Sequence, residues 1–523
     1  MYIKKGFNIH KSMDPISRKE EEDRELSQIF NKLTNYKVYP ERWWLMATVV
    51  ILNLANYAHW IAFPAVAKKA AAYYEVTGDQ LDMIPTVSYA AGIPTCLLAT
   101  YLVESRGLKF GIRIGSILTG LGGFLCCVGT FPGLSVYIPI HVQYWMALLG
   151  QAATGVACPF ISCVPTKISL HWFPDNQRTL ATTVIGMSYP LGIVVGQGLT
   201  PLIIKSPDQI PLMNIIFFIP AGIGAVLGII KVKANTPPSP PSPSSQLCVN
   251  RKMNYIHTLK EVFTNKAFVI IFLFLGGAMS FISCLATKME QIMCSVGYSD
   301  EMAGLTCSIV IFSGALGTVL FGVAAEKTGR MVEITKICCF GSIICLLVLS
   351  YLLLMPDVMG YIIAASVLLG VFTLGVFPLA LELTVEATYP ADQATVTCFI
   401  FLSSAVQGVL LMVTENWLGD PLPDKYKTIE TCSMGHGVGD EESGFLEPKD
   451  YTNYLLFVVL YVTILICIYM FFFKTELRRT NANNIRKSMQ IAKFRSDMDV
   501  ESLIPGGMTV VRAVSPRKRL ITC

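Results

Sequence analysis

About a dozen times along this chain, roughly twenty residues pass with almost no charge. At 1.5 Å of rise per residue, each such run is long enough to cross a hydrocarbon core of about 30 Å. Lipid offers no partner to a backbone N–H or C=O, so a spanning run must satisfy its own polar groups as a helix. Spans are expected near 43–66, 81–103, 109–130, 141–165, 179–204 and 210–231, then near 267–292, 302–325, 334–355, 358–380, 393–418 and 451–473. Composition agrees: 53% of the 523 residues are hydrophobic and 15% charged, whereas soluble domains carry about a quarter charged. The chain therefore reads as an all-α membrane protein of about twelve spans. Its partners are the lipid bilayer and a small-molecule substrate, and the net charge of +5 marks no nucleic-acid partner.

The layout divides in two. Residues 1–41 are polar, mixed in charge and without an apolar core or cleavage site, so they read as a cytosolic tail rather than a signal peptide. A six-helix bundle over 42–232 is followed by a Pro/Ser-rich linker over 233–265, whose composition favours extended backbone. A second bundle occupies 266–473 and includes an acidic, Gly-containing loop at 419–450, and residues 474–523 form a basic tail. Pro159, Pro165, Pro190 and Pro201 interrupt the fourth and fifth spans. Lys and Arg concentrate on one side (Arg106, Lys109, Arg113, Lys167, Arg178, Lys327, Arg330, Lys336 and the C-terminal tail), which places both termini in the cytosol. The sixteen cysteines suggest no disulfide framework. Cys126, Cys127, Cys338, Cys339 and Cys398 fall in apolar runs as small hydrophobes, and Cys432 stands in the polar loop.

A short turn repeats at matched positions of the two halves. Glu104-Ser-Arg-Gly107-Leu-Lys109 follows the second span, and Glu326-Lys-Thr-Gly329-Arg330 follows the eighth. Halves related in this way alternate access about a site between them, and these turns are expected to stabilise one access state.

Four stretches carry a family resemblance: Asn56-Tyr-Ala-His-Trp60 in the first span, Pro165-Thr-Lys167 through Asn-Gln-Arg178 after the fourth, Ser188-Tyr-Pro190-Leu-Gly192 in the fifth, and Pro378-Leu-Ala-Leu-Glu382 through Tyr389-Pro390 after the tenth. They resemble solute carrier family 49, named for the feline leukaemia virus subgroup C receptor. Met289-Glu290-Gln291-Ile292 and Ala405-Val-Gln407-Gly408 look most like its member-A3 branch. The resemblance implies the major facilitator fold and a small solute as cargo, with haem and choline or ethanolamine as the family's substrates. It implies a pocket at Trp60, Cys158, Ser283 and Ala405, where the family's tryptophan is kept and its glutamine, tyrosine and glutamine are replaced. Gln407 is expected to shape the same pocket.

Other candidates come from the residues alone. Trp60 sits mid-span, where an indole can face a cation. His59 is its neighbour, and adjacent helix positions point about 100° apart; it reads as a packing histidine rather than a metal or haem ligand. Cys158-Pro159 reads as a proline kink beside a thiol. Lys288 and Glu290 are either parts of an outer gate or, for Lys288, a base that snorkels to the boundary. Glu382 and Glu386, four apart on one helix face, are expected to form an inner charge latch with Arg330 or Lys327, with Lys167 and Arg178 mirroring it in the other half. Leu503 and Ile504 fit an acidic-dileucine signal for a sorting adaptor, leaving the plasma membrane and the endolysosomal membrane both open.

No catalytic set, metal cluster or cofactor motif is present at usable spacing, so no enzyme is expected. With no acidic residue central in the first, fourth or fifth span, facilitated diffusion is favoured over proton coupling. The alternative to a transporter is a non-transporting receptor or scaffold on the same fold.

Overall fold

A computed structural model describes residues 37–174, 177–242, 245, 255–388, 393–421 and 449–475. The N-terminal tail to residue 36, most of the 419–450 loop with Cys432, and the tail carrying Leu503 and Ile504 lie outside these residues. Among the described residues, twelve helices are long and apolar enough to cross a membrane. They are span 1 (Glu41–Tyr74), span 2 (Gly78–Arg106), span 3 (Leu108–Thr130), span 4 (Ile140–Trp172), span 5 (Leu180–Ile203) and span 6 (Pro207–Lys231). The second half holds span 7 (Lys266–Cys294), span 8 (Asp300–Thr328), span 9 (Met331–Leu352), span 10 (Met359–Thr388), span 11 (Thr395–Glu415) and span 12 (Thr452–Phe472).

Local chemistry sets the ends. Thr77 and Gln80 form a capping box at the start of span 2, and Ser299 and Asn265 cap spans 8 and 7. Spans 2 and 8 stop at Gly107 and Gly329, with φ of 92° and 67°, a region that suits a residue without Cβ. The repeated turn is thus a glycine stop used twice.

Two expectations shift. Span 1 does not end near residue 66; a 3-10 turn at Pro64–Val66 passes it into a further helix, Ala67–Tyr74, which carries Lys68 and Lys69. Span 10 runs on to Thr388, so Glu382 and Glu386 lie inside it. The prolines interrupt less than their number suggests. The helices continue through Pro159, Pro190 and Pro201, and only Pro165 starts a new segment, at its first turn.

An even number of spans brings the start of span 1 and the end of span 12 to one face, here the terminal face; the other is the distal face. Spans 1–6 and 7–12 pack as two bundles that meet where span 2 touches span 11 and span 5 touches span 8. Helices in lipid associate by close packing, which small residues permit. The two bundles use the same device: Gly155 of span 4 lies against the Ser88 backbone of span 2, and Gly317 of span 8 against the Val371 backbone of span 10. A Cβ at either position would enter a carbonyl, whereas nothing lies within 4 Å of one at Gly322. Gly155→Ala and Gly317→Ala are each expected to cost about 1–3 kcal/mol, seen as a lower melting temperature of the purified protein, while Gly322→Ala leaves it unchanged or raised.

Candidate functional site

Six aromatic rings converge where the bundles meet. Trp60 lies 5.2 Å from Tyr89 and 6.4 Å from Tyr57, centroid to centroid. Tyr57 lies 5.1 Å from Tyr189, which in turn lies 5.9 Å from Phe377 and 6.2 Å from Phe401. Spans 1, 2 and 5 of one bundle and spans 10 and 11 of the other therefore contribute to one aromatic cage. The Trp60 indole is fixed by donating to the Pro85 carbonyl at 3.3 Å. The Tyr57 hydroxyl meets Cys158 Sγ at 3.2 Å and Ser162 Oγ at 3.4 Å, and Ser162 donates to Asn53 Oδ1 at 3.2 Å. Ser283 of the other bundle stands close to the Tyr89 hydroxyl. No charged side chain lies among these groups, so the cage can hold a cation by ring faces alone.

Of the residues expected to line the site, Trp60, Cys158, Ser283 and Ala405 come to the cage. Ala405 is buried and shares a helix face with Phe401 and with Gly408, at which a Cβ would sit 3.0 Å from Tyr89. Gln407 is placed elsewhere. Its amide donates to the Leu273 carbonyl at 3.2 Å and to Ser403 at 2.8 Å, and accepts from Tyr461 at 2.5 Å. It ties spans 7, 11 and 12 together inside the second bundle. His59 is buried, and Gln151 donates to its backbone carbonyl at 3.0 Å, the arrangement of a packing residue.

Toward the distal face stands a buried ion cluster. Lys288 Nζ of span 7 is 2.6 Å from Asp82 of span 2 and pairs also with Glu415 of span 11. The Lys288 side chain is 3% exposed and that of Glu415 1%, so of the two readings of Lys288 the snorkelling one is not met: two carboxylates hold the ammonium inward. Gln291 donates to Asp82 at 3.0 Å and accepts from Lys288 and Tyr451. Burial, with the Glu415 and Asp82 carboxylates close by, pushes the Tyr451 phenol well above its ordinary range, so it remains a donor. Further pairs cross between the bundles on this face: Lys69 with Asp300 at 2.7 Å, Lys205 with Glu301, and Lys449 with Asp79 at 3.0 Å.

The terminal face closes differently. Lys167 lies 3.5 Å from Glu104, which also accepts from Thr395 of span 11 at 3.5 Å. Arg178 donates to the Phe173 and Leu170 carbonyls and to Ser242 at 2.7 Å, and the backbone of Lys109 donates to Asn235 at 2.8 Å beside Gly107. Glu326, Lys327, Gly329 and Arg330 are exposed and Glu386 is buried. Among the described residues neither Arg330 nor Lys327 forms an ion pair with Glu382 or Glu386, so the expected latch is not made there. The reading of the cysteines as lone thiols also changes. Cys163 and Cys398 form a disulfide across the bundles with their Cα atoms 5.2 Å apart, and Cys294 is disulfide-bonded too.

The family described as the Major Facilitator Superfamily matches residues 45–412. Solute carrier family 49 member A3 of Xenopus tropicalis is 26% identical over 87% of this chain and 92% of its own length. The human choline/ethanolamine transporter FLVCR2 is 24% identical over 76% of each chain. Among solved structures, a D-xylose–proton symporter superposes with a TM-score of 0.59 at 13% identity, covering 84% of this chain and 98% of its own. A bacterial homologue of the human lysosomal transporter Spinster gives 0.55, also at 13% identity, over 83% and 97%.

Removing Lys288 strands two buried carboxylates. Lys288→Ala is expected to destabilise the protein by about 3–5 kcal/mol. Adding Glu415→Gln to Lys288→Met should recover part of that loss, as read from melting temperature in one detergent. Equal loss in both variants would mean that packing, not charge, sets the cost.

Proposed function

This chain belongs to the Major Facilitator Superfamily, and on that premise we propose that it carries a small organic cation across the membrane by alternating access. The observation that supports this best is the cage of Trp60, Tyr57, Tyr89, Tyr189, Phe377 and Phe401, drawn from both bundles. Aromatic faces attract quaternary ammonium groups, by about 2 kcal/mol or more where water is excluded. Contacts between the bundles lie on both sides of the cage: the Lys288 cluster toward the distal face, the Glu104–Thr395 contact and the Cys163–Cys398 bridge toward the terminal face. Each side would have to part in turn for cargo to pass, the terminal side with the Cys163–Cys398 bridge reduced, and the turns at Glu104–Lys109 and Glu326–Arg330 would favour one of the two open states.

The cargo class proposed is an ammonium of the choline or ethanolamine kind, in keeping with the similarity to the choline/ethanolamine transporter FLVCR2. Haem, the other substrate of the resembled family, stands as the rival cargo and is tested beside them. A cage without a carboxylate favours facilitated diffusion. The terminal face is assigned to the cytosol on its excess of Lys and Arg, in a plasma or endolysosomal membrane. A scaffold would have no use for closures that cross between the bundles on both faces, which favours the transporter.

The test is uptake and efflux of labelled choline, ethanolamine and haem by cells expressing the chain, with Trp60→Ala and Trp60→Phe at matched surface amounts. Loss of the ring's attraction should lower ammonium flux about tenfold or more in Trp60→Ala and less in Trp60→Phe. No flux of choline or ethanolamine, from protein shown to be at the assayed membrane, would sink the cation reading.

A further inference from the structure

Next to the cage, inside the second bundle, lies a partly open apolar pocket. Span 5 and spans 7, 9, 10 and 12 wall it. Tyr189, Ser283 and Phe377 belong to both spaces, the two rings standing 5.9 Å apart at the junction. Beyond them the wall is apolar, with Phe274, Leu346, Leu369, Val462 and Ile466 facing in, and no charged side chain lines it. Two hydroxyls of the lining are already engaged: Thr373 donates to Ser342 at 3.3 Å, and Ser342 to the Cys338 carbonyl at 2.9 Å.

An ion as small as choline, held among the rings, would leave this space without contacts, and an interior gap forfeits the dispersion energy of its lining. A ligand that extends past Tyr189 and Phe377 would recover it. We propose that the site accepts single-chain cationic amphiphiles: an ammonium head in the aromatic cage, with an alkyl chain lying in the cavity between spans 7, 9, 10 and 12. This rests on the cage being an ammonium site, and adds the tail. A phosphocholine head fits less well. Its phosphate would have to leave water with no Lys or Arg in either lining to meet it, a costly burial.

The experiment measures binding without relying on transport. The full-length protein in lipid nanodiscs is titrated with trimethylammonium ions bearing methyl, butyl, hexyl, octyl or decyl chains, and Kd is taken from the rise in melting temperature. Burial of the chain should tighten binding roughly fourfold per methylene until the cavity is full, after which the series levels. Ala278→Phe, which narrows the cavity, should flatten the series beyond the shorter chains and leave tetramethylammonium unchanged. A flat series in the unsubstituted protein, with tetramethylammonium still binding and weakened by Trp60→Ala, would overturn the tail and keep the cage. An unaltered series in Ala278→Phe would also overturn it, since the gain would then come from partition into lipid. If tetramethylammonium does not bind and Trp60→Ala changes nothing, the cage reading itself fails. Equal affinity for an uncharged alkanol of the same length, or tighter binding of a lysophosphocholine, would overturn the cationic head.

Discussion

Everything in this molecule follows from the absence of water along its spans. A backbone that must satisfy itself becomes a helix, and a helix in lipid has no hydrophobic reason to prefer a neighbour over an acyl chain. Association then rests on close approach and on polar pairs. The glycine contacts of Gly155 and Gly317 supply the first within each bundle. The second is spent mainly between bundles, at Lys288, Lys69, Lys205 and Lys449 on the distal face. Packing that is hard to reverse holds each half, and polar pairs that water can replace join the halves once the Cys163–Cys398 bridge is reduced. That division is what a rocking mechanism needs.

The cage is placed by the same logic. Aromatic side chains can be buried without a charged partner, provided that each N–H or O–H finds an acceptor. The Trp60 indole finds the Pro85 carbonyl, and Tyr57 finds Cys158 and Ser162. Ring faces are thereby left toward the centre. Ser283 and Ala405, where the resembled family carries larger polar side chains, leave room on the second-bundle side, next to the cavity that Tyr189 and Phe377 border. The altered positions are thus compatible with a site that has changed shape.

How much of this the sequence disclosed follows the reach of each signal. Spans were legible because hydropathy acts locally over twenty residues, and Trp60 because its neighbours match a family pattern. Glu415 and Asp82 were not, since each looks like a boundary carboxylate until the fold brings Lys288 between them. Cys163 and Cys398, 235 positions apart, give no local sign of pairing. Gln407 was misplaced because a neighbouring residue on a helix points elsewhere: Ala405 faces the cage and Gln407 faces Tyr461. The rest of the cage did leave a trace. Tyr189-Pro190-Leu191-Gly192 and Phe377-Pro378-Leu379-Ala380 set an aromatic residue before a mid-span proline in each half, a repeat as readable as the glycine turns.

A ligand moves a conformational equilibrium only by the difference in its affinity for the states. On the distal face, opening would expose Lys288, Asp82 and Glu415 to water, and hydration would offset much of the lost pairing, since buried ion pairs gain little over solvated charges. The ring contacts of Tyr189 with Phe377 and Phe401 also cross between the bundles, but water cannot replace them. A cation seated among those rings can, by offering each face a charge as the bundles part. Closures of charge at the periphery and rings at the centre therefore leave the cargo as the element whose presence changes the balance between states.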